Sequence, residues 1–382
     1  MMRVTLLGAT GSIGCSTADV MRRHADKYAA HALVGHRNVD KMVELAEALR
    51  PQWVVMTDVT AATAIRGRLP VGVQLESGME AAVALAAADE ADMVMAAMVG
   101  SAGLPATLAA VEAGKRVGLA NKECLVTAGR LFMQAAVKSG AAVVPVDSEH
   151  AAVHQCLAGH DRGSVTRVTL TASGGPFRDR DPATLADVTP AEAVAHPNWD
   201  MGAKISIDSA TMMNKALELI EARWLFDLLP DQLSAIIHPQ SIVHAMVEYR
   251  DGSVLAQLAM PDMRMPIAYA LQSEPRLISG IDWLDLAGGE ALTFQAVDHV
   301  RFPAMRLVQA VLRGEDALAV AFNAANEVAN AAFRNRRIGF MDIVATVEAV
   351  LARVDNVPVG TLDEVWLHDA HARRLAEEVI AE

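Results

Sequence analysis

Val4-Thr-Leu-Leu-Gly-Ala-Thr-Gly-Ser-Ile-Gly14 carries a short apolar run straight into three glycines, and the apolar-periodic stretch Ser12–His24 follows. A strand, a glycine turn and a helix in that order let backbone N–H groups reach a pyrophosphate at a helix N-terminus. The spacing departs from Gly-x-Gly-x-x-Gly, so a tight packing turn is the bland alternative. The same alternation continues to about residue 147. Val4–Leu7, His31–Val34, Trp53–Met56, Met93–Ala97, Arg116–Leu119 and Ala142–Val146 read as strands. Ser12–His24, Val39–Leu49, Leu104–Ala113 and Cys124–Lys138 read as helices, and the alanine-rich tract at 81–88 as another. Such alternation predicts an α/β fold, a Rossmann-like parallel sheet covered on both faces. Asp147 then sits at the carboxyl edge of the sheet, where open α/β folds bind ligands.

Beyond residue 148 the pattern changes. Thr166–Thr171, Ala235–Ile237, Ile242–Tyr249 and Ser253–Leu258 read as strands, with a hairpin turn at Tyr-Arg-Asp-Gly 249–252. One helix is expected over about Ala210–Phe226. The division is therefore a parallel-sheet domain at 1–147, an α+β domain at 148–272, a connector at 273–299 and a C-terminal helical bundle at 300–382.

The chain has 382 residues, of which 52% are hydrophobic, enough for large cores rather than disorder. The net charge of −13 argues against a nucleic-acid partner. Three cysteines, Cys15, Cys124 and Cys156, give neither a disulfide framework nor a zinc spacing. No leader is read at the N-terminus, and no long uncharged apolar run suggests a membrane span. A soluble, cytoplasmic protein is expected.

Two clusters carry chemistry. Asp147-Ser148-Glu149 offers two carboxylates, which point the same way if the chain there is extended; a helix-capping group is the alternative. Around the expected helix start, Ser206, Asp208, Ser209, Thr211, Asn214, Lys215 and Glu218 crowd together. Carboxylate oxygens suit a hard divalent ion, and hydroxyls at a helix N-terminus suit a phosphate. Lys215–Glu218 alone would pass for a surface ion pair. Ser173-Gly-Gly-Pro-Phe177 can approach a ligand closely. The 193–203 segment, with His196, Trp199 and Gly202, reads as a lid. At the end of the second strand, Gly35-His36-Arg37-Asn38 has a basic group where an acid would select NAD, so NADP is preferred.

These motifs, in this order, resemble the 1-deoxy-D-xylulose 5-phosphate reductoisomerase family. The matching segments are 8–14, Ala-Asn-Lys-Glu 120–123, Pro-Val-Asp-Ser-Glu-His 145–150, 171–177, 196–199 and 201–215, then His-Pro-Gln-Ser 238–241, Pro-Asp-Met-Arg 261–264 and Phe-Asn-Ala-Ala-Asn-Glu 322–327. The resemblance implies a homodimer that rearranges 1-deoxy-D-xylulose 5-phosphate and reduces it with NADPH to 2-C-methyl-D-erythritol 4-phosphate, using Mg²⁺ or Mn²⁺, with Co²⁺ a further candidate. It implies NADPH contacts at Thr10, Gly11, Ser12, Ile13, Gly35, Arg37, Asn38, Asn121, Glu123 and Gly202. Asp147, Glu149 and Glu218 match the metal ligands. Lys122, Ser148, Glu149, Ser173, His196, Ser209, Asn214, Lys215 and Glu218 match substrate contacts, with Lys122 and Glu149 catalytic. Ala9 and Ala216 depart from the family pattern without removing a chemical group. A retro-aldol/aldol route and an α-ketol shift both fit these residues. A plain NADP dehydrogenase and a non-catalytic NADP sensor are the other classes; product carbon connectivity separates the first, and eroded carboxylates would mark the second. A hydroxamate joined to a phosphonate through three carbons is expected to inhibit.

Overall fold

The computed structural model describes residues 1–195 and 202–382. They group into two compact units. The first holds 1–124, 132–151 and 262–282, and the second holds 125–131, 152–261 and 283–382.

The first unit is a seven-stranded parallel sheet: β1 (Met2–Leu7), β2 (Tyr28–Gly35), β3 (Trp53–Met56), β4 (Gln74–Ser77), β5 (Met93–Ala96), β6 (Arg116–Leu119) and β7 (Ala142–Pro145). Their order is β4-β3-β2-β1-β5-β6-β7, with every neighbouring pair parallel. The chain builds outward one way from β1, then the other way from β5, so the order reverses between β1 and β5. That crevice is where such sheets bind ligands. The helices are α1 (Ser12–Arg23), α2 (Val39–Leu49), α3 (Val59–Ile65), α4 (Met79–Ala87), α5 (Leu104–Glu112), α6 (Glu123–Ser139) and α7 (Ser148–Leu157), the last two contributing to both units. Val4, Leu6, Leu33, Val54, Met93 and Met95 are fully buried, as continuous apolar strands require in a sheet covered on both faces. Three elements go beyond the sequence reading: β4 is a mostly exposed, mostly polar edge strand, α3 is a short helix capped by Asp58, and α7 was read only as an acidic pair or a helix-capping group.

The second unit contains a four-stranded sheet, β8 (Val165–Ala172), β9 (Leu233–Ile237), β10 (Val243–Tyr249) and β11 (Val254–Leu258), in the order β11-β10-β8-β9. The hairpin expected at 249–252 joins β10 to β11. Its helices are α8 (Pro190–Ala193), α9 (Ala203–Ala210) and α10 (Met213–Phe226). After α11 (Arg264–Leu271), which packs in the core of the first unit, come α12 (Ala304–Arg313), α13 (Asp316–Arg334), α14 (Asp342–Leu351) and α15 (Leu362–Ala381). Phe177 packs edge-on against Phe340 at 5.2 Å and shares a buried cluster with Ile207, Phe333 and Ile343. The C-terminal helices and the region around β8 therefore share one core.

The helix expected from about Ala210 is present as α10 but starts at Met213, and a separate helix, α9, ends at Ala210. Thr211 Oγ1 donates back to the carbonyls of Ile207 and Asp208, and Met212 then takes φ +62°. A left-handed residue cannot continue an α-helix, so α9 stops and α10 starts afresh at Met213.

Candidate active site

The glycine turn divides into two kinds of glycine. Gly8 has φ +83°, and a Cβ there would stand 2.4 Å from the Ala97 carbonyl oxygen. A Cβ at Gly14 would stand 2.4 Å from the Ala9 oxygen. Both are demanded by backbone packing, Gly8 at the point where the sheet order reverses. Gly11 has no contact closer than 3.4 Å. It is the N-cap of α1, contributes no capping side chain, and no acid stands in the first turn. The Ser12 and Ile13 N–H groups head a helix whose own first turn supplies no anion. Thr10 lies beside this turn, its methyl 3.3 Å from a Cβ built on Gly35.

The register between β2 and β3 builds the next piece. Gly35 pairs with Met56, so residues just beyond those ends become neighbours. His36 Nδ1 lies 2.9 Å from Thr57 Oγ1, and Arg37 Nε donates to Asp58 Oδ2 at 2.9 Å. Arg37 remains 74% exposed on its side chain. An acid does therefore stand near Arg37, but it comes from the β3 end. The Ala61 N–H and then the Arg37 guanidinium hold the Asp58 carboxyl below its ordinary range. Asn38 caps α2 by accepting from the Lys41 N–H. Asn121 is buried, donates to the Met98 and Gly100 carbonyls and accepts from the Cys124 N–H. It fixes the loop after β5 to the start of α6, where Glu123 is the first, buried helical residue.

The same logic places the acidic end. Leu119 of β6 pairs with Pro145 of β7, and a few residues beyond those ends Lys122 Nζ donates to Asp147 Oδ2 at 2.6 Å. Helix α7 begins immediately, with the Ala151 N–H bonded to the Asp147 carbonyl at 2.8 Å. Asp147 and Glu149 are thus a helix start, not an extended pair. The Ser148 hydroxyl donates to the Glu149 carboxylate. His150, quoted in the motif without a role, is fully buried with Nδ1 3.9 Å from Asp147 Oδ2. Its spacing of three from Asp147 on a helix was the available signal.

In the second unit, α10 gathers three expected residues. The Asn214 amide donates to the Glu218 carboxylate, and the Lys215 ammonium pairs with it. Lys215 is 3% exposed and Glu218 1%, so this is a buried ion pair, not a solvated one. Leaving either charge without the other would cost about 3–5 kcal/mol. Glu221, one turn further on and fully buried, went unweighed in the sequence. Ser209 lies in the last turn of α9, not at a helix N-terminus as expected. Its neighbourhood comes from a glycine turn instead. Gly174 and Gly175 have φ +81° and +66°, and a Cβ on Gly175 would stand 2.9 Å from the Ser209 oxygen. That close approach sets Ser173, whose Oγ accepts from the Gly175 N–H, against the end of α9. Gly202 is the exposed N-cap of α9. His196 and Trp199, with most of the expected 193–203 lid, lie outside the described residues.

Comparison with known proteins gives the family. A family model described as 1-deoxy-D-xylulose 5-phosphate reductoisomerase matches residues 4–129, and two models for the C-terminal domains of that enzyme match 143–226 and 258–375. The chain belongs to the 1-deoxy-D-xylulose 5-phosphate reductoisomerase family. A reductoisomerase of this name from Ralstonia pickettii (strain 12J) is 54% identical, the alignment covering 100% of this chain and 98% of that one. One from Burkholderia multivorans is 52% identical over 99% and 96%. Among solved structures, a DOX-P reductoisomerase in complex with NADPH, fosmidomycin and magnesium superposes with TM-score 0.94 at 41% identity, over 100% of this chain and 98% of that one. The Zymomonas mobilis enzyme in complex with NADPH gives 0.93 at 44%, over 99% of both chains. The α/β architecture expected from sequence agrees with these relatives.

Proposed function

We propose that this chain converts 1-deoxy-D-xylulose 5-phosphate to 2-C-methyl-D-erythritol 4-phosphate with NADPH and a divalent metal ion, a step toward isoprenoid precursors. The observation that carries the reading is a pair of lysine-held carboxylates, Lys122 on Asp147 and Lys215 on Glu218, in a chain that matches the family along its length.

The residues suit both cofactors. The uncapped first turn of α1 fits a pyrophosphate, and exposed Arg37 fits a 2′-phosphate. Asp147, Glu149 and Glu218 supply hard carboxylate oxygens, and an ammonium already stands on two of them, so a cation is at home there. When bound, NADPH supplies the hydride and the ion supplies Lewis acidity. The protein does the rest. Ser173, Ser209, Asn214 and Lys215 hold the substrate phosphate through hydroxyl, amide and ammonium groups. Glu149, oriented by the Ser148 hydroxyl, accepts a proton from a substrate hydroxyl. Lys122 Nζ stabilises negative charge developing on substrate oxygen. In the family pattern His196 matches a substrate contact and Gly202 a cofactor contact. Carbon connectivity of the product tests the reading: a branched carbon skeleton is expected, and an unbranched alcohol would make the chain a plain dehydrogenase.

No described helix is long and apolar enough to cross a membrane. The family resemblance supports a cytoplasmic homodimer. Edge strand β11 leaves Val254, Leu255 and Ala256 exposed, and Trp283 of the connector is 98% exposed. An unpaired apolar edge invites a second copy. Val254→Lys should shift the mass in solution from dimer toward monomer; a monomeric wild type would refute the assembly.

A further inference from the structure

Asp208 is a carboxylate with 1% exposure, one residue before Ser209 in α9. A buried charge is tolerated only when it is paired and hydrogen-bonded. Two of its three partners come from more than a hundred residues away. Its Oδ1 accepts from the Asn326 amide at 3.0 Å and from the Asn330 amide at 2.9 Å, both on α13. Its Oδ2 pairs with Lys204 Nζ at 3.0 Å, one turn back on α9. Asn330 Nδ2 also donates to the Lys204 carbonyl at 3.0 Å, and its own oxygen accepts from Arg334 Nε at 3.0 Å. Asn330 thus grips α9 by a side chain and by the backbone at once. Asn326 and Asn330 are both fully buried and four apart, so they share one face of α13. Neither the sheet chemistry nor the carboxylate clusters need them, yet Asn326 belongs to the 322–327 motif.

On another side, the last turn of α9 abuts the Ser173–Gly175 turn, where a built Gly175 Cβ stands 2.9 Å from the Ala210 Cα as well as from the Ser209 oxygen. The end of α9 is therefore held between the α13 amides and the glycine turn. Short polar contacts on a buried carboxylate fix both the height and the rotation of a helix, which apolar packing leaves softer.

We infer that Asn326 and Asn330 are positioning residues for the phosphate seat: through Asp208 they set where α9 presents Ser209 beside Ser173. This rests on the phosphate role proposed above for Ser209 and Ser173. The C-terminal helices thereby act in substrate recognition without touching substrate.

The experiment uses the full chain and inorganic phosphate as the probe, with its dissociation constant measured by calorimetry, NADPH affinity by fluorescence and thermal midpoint in parallel. Asn326→Ala and Asn330→Ala should each weaken phosphate on the order of tenfold, as loss of orientation does, and leave NADPH affinity within about twofold. Asp208→Asn keeps an oxygen for the two amides and the shape of the site; it should bind phosphate more tightly than either alanine variant, which also guards against failure of those variants to fold. Ser209→Ala is the reference and should weaken phosphate comparably. If Ser209→Ala weakens phosphate and the asparagine variants do not, the positioning role is wrong and the phosphate seat stands. If Ser209→Ala has no effect, the phosphate seat itself is wrong and the inference falls with it. Equal loss of phosphate and NADPH affinity in the asparagine variants would mark general unfolding and also overturn it.

Discussion

The Lys122 ammonium stands 2.6 Å from the Asp147 carboxylate, with both side chains mostly shielded from solvent. The contact follows from the pairing of β6 with β7, which brings the two strand ends side by side. A cation therefore already compensates the acid that is proposed to bind a metal. Asp147→Asn should raise the magnesium concentration for half-maximal rate by about tenfold or more while NADPH binding persists. Lys122→Ala should cost about a hundredfold in kcat with a smaller change in the magnesium requirement. A magnesium titration of the three proteins decides it. An unchanged requirement in Asp147→Asn would remove that residue from the ligand set.

Arg37 and Asp58 make a second prediction. Arg37→Ala should raise the KM for NADPH by about tenfold, since a charge-assisted contact is worth roughly 1.5–3 kcal/mol; the KM for NADH should barely move. Asp58→Ala should act in the same direction but less, because Arg37 loses its 2.9 Å tether. It should also lower stability by about 1 kcal/mol through the lost cap of α3. Steady-state kinetics with both cofactors, alongside thermal unfolding, checks this. Equal use of NADPH and NADH by the wild type would contradict the assignment.

Glu192 gives a prediction in pH. The Thr189 N–H, the Arg180 guanidinium and the Thr189 hydroxyl, in that order, hold its carboxyl down from 4.5 to about 2. A lowered folded value favours the folded state above the unfolded value, and the benefit is lost as pH falls from about 4.5 through about 2. The protection of the α8 amides, relative to their intrinsic exchange rate, should hold above about pH 4.5 and fall progressively below it. In Glu192→Gln that charge-dependent step should vanish. The same pH profile in both proteins would show that the capping box does not control this helix.

Much of this was readable before any coordinates. The strands of the first unit were legible because buried parallel strands are unbroken apolar runs such as Trp53–Met56 and Met93–Ala96. Gln74-Leu-Glu-Ser77 was not, since an edge strand with exposed side chains needs no apolar pattern. The stop at Met212 carried neither glycine nor proline; it is made by a hydroxyl bonding backward and one left-handed residue. Asp58 escaped notice, and Asp208 was named without its partners, for a common reason. Their partners Arg37, Asn326 and Asn330 are brought to them by strand register and helix packing, which spacing along the chain does not reveal. The acidic motif at 147–149 was legible as chemistry, while its local form, a helix start, was only one of two readings.

The most direct measurement is NADPH oxidation followed by the absorbance of the reduced nicotinamide, with 1-deoxy-D-xylulose 5-phosphate, in magnesium and again after a chelator. Oxidation should require the ketose phosphate, stop on chelation, return when excess magnesium is added, and yield 2-C-methyl-D-erythritol 4-phosphate. Glu218→Gln should fail to regain the wild-type rate at the magnesium level that restores the native chain. NADPH oxidation that continues unchanged in the chelator, or no oxidation at all with folded protein and added magnesium, would contradict the proposed function.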